Sequence, residues 1–209
     1  MSQSRKITMN KIDEKKIITL GETSVGKSSL IGYFIDQKFS YNYLPTLGFD
    51  FKVKKLELPN GKNIKLKIFD TAGQERFKSM SLSHLKQIDG VLLIYDITNK
   101  ESFDSVNKWM NDIRQHREKK LPIVLCGNKC DLENKRIITK EMGKEKAEEN
   151  DISFLETSCK DGINIDEAFL ELVKLIDNNN EEGETRETIH INRETYQSKN
   201  LNNSASFCC

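Results

Sequence analysis

The sequence lacks a long apolar run, a regular set of cysteines and a marked excess of positive charge. No apolar run in its 209 residues approaches the roughly 18 residues of a membrane span. The 33 basic and 32 acidic residues leave a formal net charge of +1, so no nucleic-acid partner is expected. The five cysteines are an odd and irregularly spaced set, which favours a reducing compartment over a disulfide scaffold.

Histidine is also scarce, and this argues against a zinc centre. Only His84, His116 and His190 are present. The C-x3-C pair Cys126 and Cys130 is explained more simply as small buried side chains. A zinc site is therefore disfavoured.

What the sequence does have is an alternation of buried strands and amphipathic helices. Short apolar runs at 17–20, 91–95 and 123–126 are continuous, which is typical of strands covered on both faces of a parallel sheet. Apolar residues recur at helical spacing in 103–113 and 165–176. Two pairs with capping-box spacing predict where these helices begin: Thr98 with Glu101, and Asn164 with Glu167.

One segment breaks the pattern. Apolar and polar residues alternate in 49–53 and again in 64–68, and Pro-Asn-Gly at 59–61 lies between them. This is a hairpin signature. The sequence therefore predicts an α/β three-layer fold whose mostly parallel sheet has one antiparallel strand pair at its edge. Ligands of such folds bind outside the carboxyl ends of the strands, so chemistry is expected directly after each strand.

A phosphate-binding loop is predicted after the first strand. GETSVGKS, Gly21–Ser28, fits G-x-x-x-x-G-K-[ST]. Glycines let the backbone wrap around phosphate with N–H groups pointing inward, and the next helix adds partial positive charge at its N-terminus. Lys27 brings a full charge to the outer phosphates, and the Ser28 hydroxyl ligates Mg²⁺.

The alternative, a glycine-containing turn without function, is disfavoured because a strand precedes the motif and a helical pattern follows it. The fold is therefore predicted to be that of a P-loop NTPase. The predicted nucleotide contacts in this loop are Gly21, Thr23, Ser24, Val25, Gly26, Lys27, Ser28 and Ser29.

A second motif, DTAGQE at 70–75, follows the second strand of the hairpin. Asp70 at the strand end suits a water-mediated Mg²⁺ contact. Gly73 can donate a backbone N–H to a terminal phosphate, and Gln74 can orient an attacking water. Alone, D-x-x-G is weak and a surface turn would explain it, but beside a phosphate loop it becomes a strong signal.

The third motif, NKCD at 128–131, indicates guanine rather than adenine. The carboxylate of Asp131 can accept from both the ring N–H and the exocyclic amine of guanine, and Asn128 accompanies it. Adenine lacks that pair of donors and would leave the carboxylate unpaired, which is costly. An isolated polar loop would also give N-K-x-D, but its order and position here make that explanation improbable.

In this order the three motifs resemble those of the Ras superfamily of small GTPases, over residues 13–177. Further stretches narrow the resemblance to the Rab family. LPTLGFDF at 44–51 resembles the first switch, IFDTAGQERF at 68–77 the second, and ETSCKDG at 156–162 the third guanine motif. The two terminal cysteines at 208–209 are also Rab-like.

The resemblance implies further roles. Thr46 would bind Mg²⁺ through its hydroxyl and the terminal phosphate through its backbone, and Phe39 would pack on the guanine ring. Lys129 would lay its alkyl stem against the base, and Ser158 would support Asp131.

Beside Ser158, the backbone N–H of Cys159 would meet the guanine oxygen, and Lys160 completes the loop. Because that contact is made by the backbone, cysteine in place of the family's frequent alanine should be tolerated. The catalytic residues implied are Gln74 and Lys27.

Several positions depart from the family pattern. Thr23 stands where Ser or Gly is usual, and its methyl group could slow hydrolysis. Phe69 replaces a tryptophan, and His84 and Leu85 replace a tyrosine pair. Phe51, Phe69 and His84 would then form an aromatic patch for partners. An ordinary half-exposed histidine is favoured over a pH switch at His84.

The expected activity is GTP hydrolysis with GTP, GDP and Mg²⁺ as ligands. Positioning and charge stabilisation do most of the work, and no phosphate-loop arginine is present, so hydrolysis should be slow alone and accelerated by a partner. Loss of the third phosphate would release both switch segments. An ATP-using P-loop enzyme and a GTP-loaded scaffold that does not hydrolyse are the rival interpretations.

The termini are expected to lie outside the folded domain, with 1–12 flexible and 178–209 a disordered tail. The tail carries five acidic and three basic residues, so any membrane attachment must come from lipid. Cys208 and Cys209 resemble the Rab ending that receives two geranylgeranyl groups, and two chains hold firmly where one does not. A chance pair of cysteines, or a vicinal disulfide, is the alternative.

The resemblance also implies partners and a location. A monomer on the cytoplasmic face of an intracellular membrane, cycling with the cytosol, is expected. Its partners would be an exchange factor, a GTPase-activating protein, effectors, a GDP dissociation inhibitor and the prenylation machinery.

Overall fold

A computed structural model of the chain describes residues 13–39, 49–58, 61–71, 85–116 and 120–179. Within these ranges six strands form one sheet with helices on both faces. The strands are β1 (Asp13–Leu20), β2 (Phe49–Glu57), β3 (Asn63–Thr71), β4 (Gly90–Asp96), β5 (Ile123–Asn128) and β6 (Ser153–Thr157). The helices are α1 (Lys27–Asp36), α2 (Lys100–His116), α3 (Lys140–Asn150) and α4 (165–179).

The sheet has the strand order β2-β3-β1-β4-β5-β6. All neighbouring pairs are parallel except β2 with β3, which is antiparallel and lies at the edge. The predicted α/β fold, with a mostly parallel sheet and one antiparallel edge pair, is confirmed. Parallel order also brings the carboxyl ends of β1, β3, β4, β5 and β6 to one edge of the sheet.

Strand burial explains why the sequence patterns were informative. Every residue of β4 and β5 is buried, because helices cover both faces of the sheet centre, and their sequences are continuous apolar runs. In β3, Ile64, Leu66 and Ile68 are buried and alternate with less buried residues. Alternation thus marks the strand pair whose second face is only partly covered.

Two apolar clusters separate the layers. The first lies between the sheet and helices α1 and α4, where the rings of Phe34 and Phe169 stack with centroids 3.8 Å apart. The second lies between the opposite face and helix α2, and it includes Tyr95 and Trp109. At Gly90 an ideal Cβ would come within 2.8 Å of Leu172 and of Ile176, so α4 packs closely on β4.

The predicted helix starts were partly wrong. Helix α2 is capped by Asn99, whose side-chain oxygen accepts from the backbone N–H of Ser102 at 3.0 Å. The hydroxyl of Thr98 instead donates to the carboxylate of Asp96 at 2.7 Å. Thr98 is therefore not the cap.

Before α4, Asn164 has a positive φ of 53°. Its side chain donates to the backbone carbonyl of Glu156 at 2.8 Å, so its amide nitrogen holds the loop before the helix to strand β6. Helix α4 begins directly after Asn164, as predicted, but the side chain of Asn164 bonds to strand β6 in place of the predicted capping contact.

Four charged side chains join the amino ends of the strands to helix α4. Lys15 lies 3.0 Å from Asp13 and 3.2 Å from Asp177, and Lys62 lies 3.0 Å and 3.2 Å from the same two carboxylates. Lys15 is only 6% exposed. This alternating group, termed here the basal charge cluster, fixes β1, the hairpin turn and α4 at the end of the sheet away from the strand carboxyl ends.

Helix α4 continues to residue 179, two residues beyond the predicted domain end at 177. The predictions for 1–12 and for 180–209 lie outside the described residues. Among the described helices, none has the length and apolar character needed to cross a membrane.

Candidate nucleotide-binding site

The predicted site loops meet at the carboxyl edge of the sheet. Register pairs Asp96 at the end of β4 with Asn128 at the end of β5, and Asn128 with Thr157 at the end of β6. The loop at 21–26 follows β1 in the same row of strands. Residues that are far apart in the sequence therefore lie side by side, as the rule for open α/β sheets requires.

Backbone geometry makes the phosphate loop dependent on its glycines. Gly21 has φ 139°, and an ideal Cβ there would lie 2.1 Å from the carbonyl oxygen of Ile94. Gly26 has φ 99° and immediately precedes helix α1. Ser24 also has a positive φ, 61°. The chain thus curls tightly before α1, which directs N–H groups and the helix N-terminus toward the same space.

Lys27 is held inside this loop. Its Nζ donates to the backbone carbonyls of Gly21 at 3.0 Å and Glu22 at 2.7 Å, and the residue is 5% exposed. Burial lowers the pKa of Lys27 to about 8, while the charges of Asp70 and Glu22 act in the opposite direction. An anion at this loop would favour the charged form of Lys27.

Oxygen donors suited to a cation flank Lys27. Ser28 follows it at the start of α1, and Asp70 is buried near the end of β3, close enough for its charge to act on Lys27. A hydroxyl and a carboxylate are hard oxygen ligands of the kind that Mg²⁺ prefers. The described part of the predicted metal site therefore fits that ion, and Thr46 lies outside the described residues.

Asn128 connects the phosphate loop to the base loops. Its Nδ2 donates to the carbonyl of Val25 at 2.8 Å, and its Oδ1 accepts from the hydroxyl of Thr157 at 3.1 Å. An ideal Cβ at Gly26 would lie 2.3 Å from the same Nδ2, so only glycine allows this approach. Asn128 is 1% exposed, and its side chain acts as a link between loops.

Lys129 adds a second link. Its Nζ donates to the carbonyl of Ser24 at 2.8 Å and lies 2.6 Å from the carboxylate of Asp96. Its backbone has a positive φ of 67°. The alkyl stem of Lys129 consequently runs between the loop after β5 and the phosphate loop, as a residue that lies against the base would require.

The side chain of Asp131 is oriented by Ser158. The hydroxyl of Ser158 donates to its Oδ1 at 2.7 Å, and the same hydroxyl oxygen accepts from the backbone N–H of Asp161 at 3.1 Å. Ser158 also exchanges two backbone hydrogen bonds with Ile163. The carboxylate of Asp131 is therefore fixed by a buried serine that is itself fixed.

An ion pair braces these loops from behind. The guanidinium of Arg136 donates to Glu156 at 2.5 Å, and both side chains are mostly buried. Hydrogen bonds from Arg136 to Glu156 and Glu133 raise the pKa of Arg136 above its ordinary value. The pair joins the segment after Asp131 to the strand that leads to Ser158.

Cys159 and its neighbour differ in exposure. Cys159 is 5% exposed, its Sγ lies 3.7 Å from Oδ1 of Asn128, and burial raises the pKa of its thiol to about 11. Lys160 is exposed. Phe39 is half-buried and packs against the cluster between the sheet and α1.

The exposed face of the hairpin contains part of the predicted aromatic patch. The ring centroids of Phe51 and Phe69 lie 6.1 Å apart, and Phe51 is 49% exposed. Nζ of Lys67 lies 4.1 Å from the centroid of Phe51 and 5.1 Å from that of Phe69. His84 lies outside the described residues, as do Gly73, Gln74, Cys208 and Cys209.

Comparison with known proteins decides the family. The sequence matches the model of the Ras family over residues 16–178. The chain belongs to the Ras family. Among similar proteins of this family, Ras-related protein Rab-10 of Diplobatis ommata is 44% identical over 159 residues, which is 76% of this chain and 79% of that protein.

Two further relatives agree. Ras-related protein Rab-8B of Dictyostelium discoideum is 43% identical over 159 residues, 76% of this chain and 78% of its own. GTP-binding protein YPT1 of Saccharomyces cerevisiae is 36% identical over 198 residues, 93% and 96% of the two chains. Within the Ras family the chain is thus a Rab-type small GTPase, a hydrolase of GTP. Membership implies guanine-nucleotide binding and, in general, regulators and effectors.

Three residues that contact the candidate site are given no role by the sequence motifs. Asp96 belongs to none of the motifs, although it ends β4 at the edge where ligands bind, and that position is the signal that could have found it. Thr157 and Trp109 were missed as well. Nothing in the sequence indicates their polar partners, Asn128 and Glu22, which are distant along the chain.

Proposed function

We propose that this Rab-type GTPase holds the phosphates of GTP on Gly21–Ser28 and the guanine on the loops at 128–131 and 158–160. The observation that carries the proposal is the position of Asn128, which donates to Val25 and accepts from Thr157. One buried side chain thereby sets the distance between a phosphate loop and a base loop. A ligand with an anion at one end and a purine at the other matches that arrangement.

Guanine selectivity is assigned to Asp131. Its carboxylate, held by Ser158, accepts from the ring N–H and the exocyclic amine of guanine. Lys129 lies against the base, and Phe39, from the segment just after α1, packs on the guanine ring. The backbone N–H of Cys159 donates to the guanine oxygen, with Lys160 beside it. An adenine base would leave the Asp131 carboxylate without its donors.

The phosphate end is assigned to Lys27 and the backbone around it. Backbone N–H groups from Thr23 to Ser29 and the start of α1 surround the anion, and Lys27 donates to the outer phosphates. Ser28, Thr46 and Asp70 would hold Mg²⁺, which neutralises phosphate charge when bound. Gln74 orients the attacking water, and the methyl group of Thr23 slows hydrolysis by crowding that space.

The switch is assigned to Thr46 and Gly73, which contact the third phosphate and lose that contact after hydrolysis. Without an arginine in the phosphate loop, hydrolysis is slow alone and a GTPase-activating protein accelerates it. An exchange factor reloads GTP, and effectors bind the GTP form on a surface that includes Phe51 and Phe69. The protein works as a monomer.

Membrane attachment is assigned to geranylgeranyl groups on Cys208 and Cys209, added by prenylation machinery and shielded by a GDP dissociation inhibitor in the cytosol. Two lipid chains give stable attachment where one gives a marginal one. The residues from 180 onward would serve as the tether to the cytoplasmic face of an intracellular membrane. Mass spectrometry of the membrane-bound pool from native cells checks this, since unmodified terminal cysteines there would refute it.

A single-turnover assay tests the catalytic assignment. Phosphate release from GTP and from ATP is followed with and without native cell extract, for wild type and Gln74→Leu. We expect release from GTP only, stimulation by the extract, and loss of stimulation in Gln74→Leu. Undiminished stimulation would remove Gln74 from its role, and equal release from ATP would contradict the base assignment. Pull-downs from lysate with GDP-loaded and analogue-loaded protein then identify state-dependent partners.

A further inference from the structure

The only tryptophan of the chain is hydrogen-bonded to the phosphate loop. Nε1 of Trp109, on helix α2, donates to the carboxylate of Glu22 at 3.1 Å, across 87 positions of sequence. Trp109 is 6% exposed, so its ring is fixed in the cluster between the sheet and α2. A rigid donor therefore holds the side chain of the second residue of the phosphate loop.

Glu22 accepts hydrogen bonds through both its backbone carbonyl and its side-chain carboxylate. Its backbone carbonyl accepts from Nζ of Lys27 at 2.7 Å, while its carboxylate faces Trp109. The residue that carries this carboxylate is thus in direct contact with the ammonium of Lys27. A negative side chain thus lies within electrostatic reach of the cation that the phosphates need.

Without the indole, the Glu22 carboxylate in this position would be available to pair with Lys27. A carboxylate with no fixed partner beside a buried ammonium would pair with it, because opposite charges attract strongly where water is excluded. A Glu22–Lys27 pair would neutralise Lys27 and place negative charge beside the bound phosphates. The indole N–H gives the carboxylate another partner on the helix side.

We propose that Trp109 is a positioning residue for Lys27, because it holds the Glu22 carboxylate away from the ammonium and so leaves Lys27 for the phosphates. The inference rests on the proposed binding of phosphate at Gly21–Ser28. Trp109 touches neither nucleotide nor Lys27 in this role, and it acts only through Glu22.

Nucleotide release tests the proposal with three variants. Trp109→Phe keeps an aromatic ring and removes the N–H, and we expect GDP dissociation to be faster by about tenfold, the usual scale for one lost charged hydrogen bond. Glu22→Gln keeps an acceptor and removes the charge, and release should stay within about twofold of wild type. The double variant should return toward wild type, because the amide has no charge with which to compete.

That rescue separates the proposal from a packing effect. If the double variant releases GDP as fast as Trp109→Phe, the ring and not the carboxylate is responsible, and the proposal is overturned. Ile113→Val is the matched control, since it trims a buried side chain on the same helix that has no group with which to hydrogen-bond Glu22. GDP release from Ile113→Val should match that of wild type, although its free energy of unfolding should fall about as much as that of Trp109→Phe.

A spectroscopic measurement covers the case in which Trp109→Phe fails to fold. One tryptophan gives one indole cross-peak in the ¹H–¹⁵N spectrum of the full chain. Glu22→Ala should move that peak upfield in the proton dimension, and Ile113→Val should not. An unmoved peak in Glu22→Ala would contradict the Trp109–Glu22 bond.

Lys27→Ala distinguishes failure of the proposed phosphate site from failure of the role proposed for Trp109. If Lys27→Ala binds nucleotide as wild type does, the proposed phosphate site fails. If Lys27→Ala loses binding while Trp109→Phe behaves as wild type, only the role of Trp109 fails.

Discussion

The side-chain nitrogen of Asn128 lies 2.8 Å from the carbonyl oxygen of Val25 and donates to it, inside the protein and between two loops 103 positions apart. The same asparagine accepts from Thr157. A residue expected to read the base therefore also links the two loops to which the phosphates and the base are assigned. Loss of its side chain should affect nucleotide binding and stability at once.

Asn128→Ala should accelerate GDP release and lower stability. The carbonyl of Val25 and the hydroxyl of Thr157 lose their partner in a buried region, at about 1–3 kcal/mol for each group left unsatisfied. Stopped-flow release of a fluorescent GDP analogue and thermal unfolding measure the two effects. Asn150→Ala is a matched control, since that asparagine also donates to a backbone carbonyl, Lys146, but far from the site. Equal release rates in the two variants would contradict the linking role.

Asp131→Asn should exchange guanine for xanthine. The amide nitrogen donates where the carboxylate accepted, and xanthine carries an oxygen where guanine carries an amine. Competition binding should show a loss of GDP affinity of at least about tenfold and a gain for the xanthine nucleotide. Asp161→Asn removes the same charge from an exposed neighbour and should change neither. Retained preference for guanine in Asp131→Asn would exclude Asp131 as the reader of the base.

Nucleotide binding should take up a proton above pH 8. Burial holds the pKa of Lys27 at about 8 in the free protein, and a bound polyphosphate favours the charged form and raises that pKa. Lys27 is therefore charged in both states well below pH 8, and at higher pH binding must protonate it. Affinity should fall as pH rises through that value.

Titration calorimetry of nucleotide-depleted protein, in two buffers of different ionisation enthalpy, measures this proton uptake. We expect almost none at neutral pH and an approach to one proton about one unit above the Lys27 pKa. Buffer-independent heats at the higher pH would contradict the prediction. An arginine stays charged throughout, so Lys27→Arg should take up no proton if it binds.

Tyr95 offers a test of packing behind the base loops. Its hydroxyl is buried, and within the described ranges it makes no hydrogen bond. An ideal Cβ at Gly143 would lie 2.4 Å from that hydroxyl and 2.5 Å from Phe154. Tyr95→Phe should be neutral or stabilising by up to about 1 kcal/mol, because no hydrogen bond is lost.

Gly143→Ala should destabilise the protein by about 1–3 kcal/mol, since the cluster around it is already full. Adding Tyr95→Phe should recover part of that loss. Denaturant unfolding of the two single variants and the double variant gives the three values. Strict additivity would show that the hydroxyl and Gly143 do not share the space.

The fold was largely readable from the sequence because its signals are local. The continuous runs that became β4 and β5 report burial on two faces, and the alternation in 64–68 reports one covered face. Helix starts were less readable, since Asn99 and not Thr98 caps α2. Whether Thr98 or Asn99 caps the helix depends on where Asp96 lies, because Asp96 binds the Thr98 hydroxyl. The spacing of Thr98 and Glu101 does not contain that information.

Contacts of the site were predictable where the family resemblance supplied both partners. The predicted support of Asp131 by Ser158 is present in the structure at 2.7 Å. The partners of Lys129 and Trp109 were not predictable, because Asp96 and Glu22 become their neighbours only through the strand order. Assignments at Thr46 and Gln74 stay predictions.

The basal charge cluster and the candidate nucleotide site lie at opposite ends of the sheet. Lys15 and the phosphate loop stand at opposite ends of β1, about 20 Å apart at the usual rise of a strand. The loops assigned to nucleotide binding are thus remote from the carboxyl end of helix α4. An exchange of nucleotide at one end of the sheet should therefore leave these charged contacts at the other end in place.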